Sequence, residues 1–496
     1  MRLQVLLEDI EDVGHLDIGF VGLSGDADVD VTSVTHDSRR VQPGALFACI
    51  PGARFDGHDH AAEAVGNGAV ALLVERPLSI PVPQVRVRSV RAAVGPAAAA
   101  CAGWPSRSIA CLGVTGTNGK TTTTYFLEAI GAADDRTVGV IGTTGARVAG
   151  APAALDHTTP EASELQELLA RMRAEGVRLV AIEVSSHALV QHRVDGTRFA
   201  AVAFTNLSHD HLDFHGSLDE YFEAKARLFT PEFTESAAIG TDDERGPELA
   251  TRAADLGLTV VTYGIDREAD LRATEVRPTD LGMDFVLTDQ RSDDSVAVST
   301  SLIGRLNVLN ALAAAATAML AGVDLTTIAR GLAAADVVPG RLERVDAGQP
   351  FTVVVDYAHT PDALDHALAA CRAHGGDHRL IGVVGCGGDR DRAKRPKMGA
   401  LVAIRADVAI ITSDNPRSES AAAIADEMLA GVPAGRDPVH VELDRRHAIR
   451  DAIGQARPGD VVLIAGKGHE SGQTTGDTTV PFDDRVVVRE ELEASS

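Results

Sequence analysis

The chain has 496 residues, of which 45% are hydrophobic and 24% charged, so it is a soluble globular protein too long for one ordinary core. Its 46 basic and 71 acidic residues leave a net charge of −25. That excludes a general nucleic-acid or anionic-membrane surface, but not a phosphorylated ligand in a local basic pocket.

Residues 1 to about 105 read as a small α/β unit. Its start, MRLQVLLEDIEDVGHLDIGF, is acidic, with no basic region or small-residue cleavage site, so no secretory leader is expected. VTSVTHDSRRVQPGALFACIPGARFDGHDH holds short apolar runs broken by Pro and Gly, then come an alanine-rich helix and the strand AVALLVE. RAAVGPAAAACAGWPSRS predicts a helix and a linker. From 106 to 337, IACLGVT, TVGVIGTT, LVAIEVSS and AAVAFTNL predict strands separated by helices, closing on a helix pair near 307–335. This alternation predicts a mostly parallel sheet covered on both faces. The Pro-Gly pair of VVPGRLERV marks another boundary. Over 338–496, FTVVVDYA, RLIGVVGCG, DVAIITSDN, VHVELD and DVVLIAGKG predict a second, doubly wound α/β sheet. The expected architecture is α/β in three domains, 1–105, 106–337 and 338–496. No apolar run is long enough to span a bilayer, and five cysteines without CxxC spacing fit reduced thiols in a cytoplasmic protein.

IACLGVT runs into Gly116-Thr117-Asn118-Gly119-Lys120 and then the helical Thr121-Thr122-Thr-Thr-Tyr-Phe. Strand, glycine turn and helix N-terminus make a phosphate cradle, in which Lys120 reaches the outer phosphates and the Thr121 hydroxyl can hold Mg²⁺. The strict pattern G-x-x-x-x-G-K-[ST] fails at its first position, Val114, and Gly116 moves the flexible point two residues later. Glu183 follows the apolar run LVAI and suits a magnesium ligand at a strand's carboxyl end, although a solvent-facing acid reads equally well. Three histidines in seven residues, 209 to 215, raise a zinc site. With no HExxH spacing or cysteine ligand, a polar loop with one magnesium-proximal histidine fits better.

Only five of the 46 basic residues are lysine: Lys120, Lys225, Lys394, Lys397 and Lys467. Arginine supplies charge but not a reactive amine, so the survivors point to chemical need. Lys394, Lys397 and Lys467 are expected in glycine-rich turns after apolar runs. Lys225 is expected mid-helix, in a helix opened by a capping box, Ser217-Leu-Asp-Glu220. Its amine could take up CO₂ as a carbamate and so ligate Mg²⁺, but sequence alone favours an exposed helix lysine.

Taken together, TGTNGKTT, EVSSHALVQHRV, FTNLSHDHLDFHG, YFEAKARLF, PGRLERV, DYAHTPDAL, GCGGDRDRAKRP, SDNPR and AGKGHE resemble the Mur ligases, ATP-dependent enzymes that build the peptidoglycan stem peptide. The likeness runs from DSR near 37 to PFDDR near 485. It is greatest to the member that adds the third residue to UDP-N-acetylmuramoyl-L-alanyl-D-glutamate. The resemblance implies an N-terminal UDP-sugar-binding domain, a central phosphate-loop ATPase domain and a C-terminal Rossmann-like amino-acid domain. It implies a carbamylated Lys225 on a second Mg²⁺ with His211 beside it, and Thr121 with Glu183 on the first. Asn307, Arg341 and Asp356 would contact ATP. The UDP-sugar dipeptide would meet Ser38, the turn Ala53-Arg54-Phe55, His157, Thr158, Thr159, Ser185, Gln191 and Arg193. His157 stands where some members have asparagine.

Arg390, the run Asp414-Asn415-Pro416-Arg417, and Gly466 to Glu470 each follow an apolar strand run, so they share the carboxyl rim of the last sheet. Two guanidinium groups and a carboxylate suit an amino acid with a second amino-acid head. Arg417 would grip the distal carboxylate and Glu470 the distal ammonium of meso-diaminopimelate. L-lysine would leave Arg417 facing nothing, and a surface ion pair is the bland alternative for that arginine. The reading is a monomeric Mg²⁺- and ATP-dependent amide ligase working through an acylphosphate, with the last domain closing over ATP. A folylpolyglutamate synthase-like ligase and a phosphate-loop switch protein are its rivals.

Overall fold

A computed structural model describes every residue except 12, 14–17, 53, 54, 280, 281, 336, 437, 438 and 496. Among the described residues the strands form a five-stranded, an eleven-stranded and a six-stranded sheet, plus a two-stranded hairpin.

The first sheet is parallel from Ser33–Thr35 through Ala45–Ala48 and Ala69–Val74 to Gln84–Val87, with Phe20–Ser24 added antiparallel at one edge. Its helix Val90–Cys101 packs on the helix Ala162–Ala174 of the next unit, and Arg40–Glu164 and Arg91–Glu161 ion pairs tie the two.

In the eleven-stranded sheet the phosphate-loop strand Ala110–Thr115 lies centrally, parallel to Leu179–Glu183 on one side and Ala201–Phe204 on the other. Successive residues alternate faces. Leu112, Val114, Ala181 and Ala203 join the core under the helices Lys120–Ala133 and Arg305–Leu320. Cys111, Val180, Ile182 and Val202 join the opposite core with Leu165, Leu169 and Phe222. Burial on both faces explains why these strands are continuous apolar runs. The sheet is mostly parallel, as expected, with antiparallel additions at both ends. Leu271–Thr279, Gly282–Asp289 and Asp294–Thr300 form an antiparallel meander at one end, and Gly145–Val148 with Ala151–Ala153 a hairpin at the other. Over Gly282–Asp289, buried Met283, Phe285, Leu287 and Asp289 alternate with half-buried Asp284, Val286 and Thr288, the period-two signal of a half-covered strand.

The six-stranded sheet runs Glu343–Arg344, Thr352–Asp356, Val461–Ala465, Leu380–Cys386, Val408–Ser413 and His440–Val441, parallel after its first pair. Lys394 and Lys397 do not sit in turns. They open the helix Lys394–Arg405, whose Pro396 occupies its first turn, where a missing N–H costs nothing. Arg445 anchors two strand ends at once. Fully buried, it donates to the carbonyls of Ser413 and Ala465 and pairs with equally buried Asp484 at 2.7 Å. Asp484→Ala, which strands that guanidinium, is expected to lower unfolding free energy by about 3–5 kcal/mol, as read by chemical denaturation.

Candidate active site

The phosphate loop takes its shape from the neighbouring strand end. Gly116 has φ +151, and a Cβ there would fall 1.8 Å from Thr205 Oγ1, so no other residue fits. Thr205 donates to the Asn118 carbonyl at 2.6 Å, and Asn206 Oδ1 accepts from Asn118 N at 2.9 Å. Gly119, at φ +85, abuts Asn310 so closely that a Cβ would lie 2.1 Å from its Oδ1. Lys120 Nζ donates to the carbonyls of Gly116 (2.8 Å) and Thr117 (2.7 Å).

Lys225 reaches the same carbonyl. Its Nζ donates to Gly116 O at 2.8 Å and sits 4.3 Å over the ring of Tyr221. The side chain is 1% exposed, which overturns the exposed-lysine reading. The lysine is the penultimate residue of Leu218–Ala226 rather than mid-helix. Ser217 caps that helix by accepting from Glu220 N. Burial, then the nearby Lys120 charge, pushes the Lys225 amine well below the usual lysine range. Burial also lowers Lys120.

Glu183 is 1% exposed, not a solvent-facing acid. Thr143 holds both its oxygens, through N–H to Oε1 and through hydroxyl to Oε2, each at 2.9 Å. A Cβ on Gly142 would lie 2.3 Å from Oε1, so this approach requires glycine. Thr143 stands at the same carboxyl rim as Glu183, and the strand-end rule that picked the acid would have found it.

These groups line one cavity of about 780 Å³. Thr117, Asn118, Gly119, Lys120, Thr121, Thr122, Thr158, Glu183, Ser185, His211 and Lys225 form its floor. Asn307, Arg341 and Asp356 close it from the Arg305–Leu320 helix and the last sheet. Arg341 lies 4.6 Å over the ring of Tyr357, and its Nη2 is 3.5 Å from Thr121 Oγ1. Asp356 accepts from Leu342 N and Ala358 N, while burial raises its pKa. Asn118 Nδ2 meets Asp362 across the gap at 3.2 Å. Asn307 is buried, donating to Ile303 O. The His211 ring makes edge contacts with His187 and Tyr221, and burial lowers its pKa.

Behind the floor, Thr159 donates to Glu183 O at 2.7 Å and accepts from Ser185 N at 3.1 Å. Arg193 donates to Thr159 O and pairs with Glu161, an acid sequence reasoning did not single out. Gln191 ends the helix Ser186–Val190, and His157 is exposed. Ser38, bonded to Glu63, and Phe55, 75% exposed, lie outside the cavity lining, on the N-terminal unit. Ala53 and Arg54 lie outside the described residues.

The last sheet's carboxyl rim gathers a second group next door. Gly388 packs against the Pro416 carbonyl, where a Cβ would come within 1.9 Å. Arg417 (φ +52) and Arg390 both flank Gly387. Arg417 donates to Gly388 O at 2.7 Å, and Arg390 to Asp389 O at 3.2 Å. Burial raises the pKa of Asp414, which accepts from Asn415 at 3.1 Å. Gly466 (φ +122) lies beside Asp414, and Glu470 accepts from Asn415 Nδ2 at 2.8 Å. Tyr357, which lines the cavity, links it to this rim through His469, 5.0 Å away between ring centres.

A phosphate loop and a buried lysine–glutamate set facing a third lobe define a nucleotide-dependent ligase, and sequence comparison agrees on the class. Residues 30–103 match the Mur ligase family catalytic domain, 114–318 the Mur ligase middle domain and 340–468 the Mur ligase glutamate ligase domain. The chain belongs to the Mur ligase family.

Among its relatives is the UDP-N-acetylmuramoyl-L-alanyl-D-glutamate--2,6-diaminopimelate ligase of Geobacillus thermodenitrificans, 46% identical over 93% of this chain and 94% of the relative. The like-named protein of Streptomyces coelicolor is 46% identical over 94% and 93%. A solved structure of a ligase with that name superposes with a TM-score of 0.72 at 33% identity, over 96% of this chain and 97% of that one. Folylpolyglutamate synthase from Mycobacterium tuberculosis shares the fold at TM-score 0.60 and 20% identity, over 74% of this chain and 91% of that one.

Proposed function

We propose that this chain is an ATP-dependent ligase that joins meso-2,6-diaminopimelate to the D-Glu γ-carboxylate of UDP-N-acetylmuramoyl-L-Ala-D-Glu in peptidoglycan synthesis. The observation that carries it is the one cavity where Lys120, Glu183 and Lys225 meet Arg341 and Asp356. There the γ-carboxylate oxygen bonds to the γ-phosphorus as the bond to ADP breaks. The diaminopimelate amine then adds to the acyl carbon, loses a proton, and expels phosphate. Lys120 and Arg341 are cations fixed in advance beside the developing charge, and walls from two lobes hold the reactants together.

The residues fit Mg²⁺. Among the described residues no cluster of three acidic or imidazole groups forms a cage. The protein's share is one buried carboxylate, Glu183, with the Thr121 hydroxyl, as suits an ion that takes its remaining ligands from phosphates and water. Bound there, it supplies charge neutralisation at the phosphates. Lys225 as a plain amine is no ligand for a hard cation. Its depressed basicity leaves it free to add CO₂, and the carbamate's oxygens, with His211 beside them, would serve a second ion.

Thr158, Thr159, Ser185, Gln191 and Arg193, with Ser38, Ala53, Arg54 and Phe55, are assigned to the UDP-dipeptide. The domains are set at 1–105, 106–337 and 338–496, a reading supported by each large sheet drawing its strands from one of these ranges. The protein is read as a monomer. Among the described residues no helix is long and apolar enough to cross a membrane. All five cysteines are free thiols, which supports a reducing compartment such as the cytoplasm.

Purified protein is expected to release phosphate only when both UDP-dipeptide and diaminopimelate are present. Release without them would favour an ATPase switch. Equal rates with L-lysine would favour another diamino acid, and a folate acceptor in place of the UDP-dipeptide a folylpolyglutamate-type ligase.

A further inference from the structure

Lys467 takes no part in the chemistry above, yet it is completely buried. The strand Val461–Ala465 ends just before it, and its ammonium is turned under the rim. Nζ donates to Gly472 O at 2.6 Å, Glu470 Oε2 at 3.0 Å and Asn415 Oδ1 at 3.3 Å, and lies 3.7 Å from Asp414 Oδ1. A lysine has three N–H groups, and all three are spent on protein oxygens.

Asn415 completes the arrangement. Its Nδ2 donates to Asp414 Oδ1 and Glu470 Oε2, and its Oδ1 also accepts from Thr474 N at 3.0 Å. Oε2 of Glu470 is thus occupied by two donors, whereas Oε1 accepts from no described residue. The Glu470 side chain is 33% exposed. Gly472 and Thr474 belong to the hairpin Gly472–Thr475/Thr478–Pro481, which also pairs with the Arg417 backbone: Arg417 N donates to Thr474 O, and Gly476 N to Arg417 O. One ammonium therefore separates two carboxylates that would otherwise repel and ties the hairpin to the loop carrying Arg417.

We propose that Lys467 is a positioning residue for amino-acid selection: it locks Glu470 through Oε2 so that Oε1 is presented to the distal ammonium of the diamino acid. This rests on the diaminopimelate reading. A lysine that merely held the fold would support both ends of the substrate alike. One that acts through Glu470 matters only when a distal ammonium is present.

The test compares meso-diaminopimelate with 2-aminopimelate, which keeps the distal carboxylate and lacks the distal amine. In the full-length enzyme, Lys467→Met is expected to raise KM for diaminopimelate by about 30-fold, the scale of a lost charge-assisted hydrogen bond. KM for 2-aminopimelate, ATP and the UDP-dipeptide, and kcat, should stay within about threefold, the scale of a group left untouched. Adding Glu470→Gln to Lys467→Met should then change the diaminopimelate KM no further. Equal losses with the two amino acids, or no loss with either, would overturn the assignment. Should Lys467→Met fail to fold by circular dichroism, Lys467→Gln, which keeps two donors without the charge, reads the same ratio. Wild-type enzyme that uses neither amino acid would sink the diaminopimelate reading itself, and this assignment with it.

Discussion

Lys225→Ala is expected to lose about a thousandfold in ligation rate, the scale of removing a preorganised charge-stabilising group. Acetate or another small carboxylate should restore part of that rate. The reason lies in the lysine's surroundings. Its ammonium meets a carbonyl oxygen and a ring face, and among the described residues no carboxylate pairs with it. A permanently charged lysine is an expensive occupant of such a place, because burial without an ion pair disfavours the charged form. Conversion to a carbamate removes the cation and supplies oxygens to the cavity. A small acid diffusing into the space left by alanine would supply the same oxygens. Wild-type rates in Lys225→Ala would refute the assignment, and loss without rescue would reduce the residue to a packing role.

Arg417→Ala is expected to raise KM for diaminopimelate by about a hundredfold, the usual scale for removing one partner of a desolvated charge pair. KM for ATP should move less than about threefold, because Arg417 does not line the nucleotide cavity. The guanidinium is already aimed: Gly388 O takes one of its N–H groups, and the hairpin holds its backbone at φ +52. Few conformations remain to be lost on binding, so most of the interaction energy appears as affinity. Equal weakening of ATP and amino acid would count against the distal-carboxylate role.

The phosphate loop and the two large α/β units were legible in the sequence because their signals are local. Gly116 to Thr122 are consecutive, and doubly covered strands declare themselves as unbroken apolar runs. The Lys225 environment was not legible from residue pattern alone, since the carbonyl it meets lies 109 residues earlier in the chain. An exposed helix lysine and a buried one have the same neighbours in sequence. The scarcity of lysine marked it and raised the carbamate, but only the Mur ligase resemblance tipped the reading away from an exposed helix lysine. The role of Thr143 was missed because the strand-end rule was applied to acids alone, although Thr143 directly follows the strand Val138–Gly142. Lys467 was marked by its rarity but given no task, for Asn415, which links it to the Arg417 loop, lies 52 residues earlier in the chain. The antiparallel strands Leu271–Thr279, Gly282–Asp289 and Asp294–Thr300 were within reach, but the search for unbroken apolar runs passed over their alternating pattern.

Lys120 and Lys225 share a single acceptor, the Gly116 carbonyl, through which the electrical state of one amine is felt at the other. On the carbamate proposal, protein kept in degassed, bicarbonate-free buffer would leave a weakly basic free amine on that carbonyl, and protein supplied with CO₂ an anionic carbamate beside Lys120. The atmosphere above the sample is therefore an experimental variable, and nucleotide titrations with this enzyme deserve a controlled headspace.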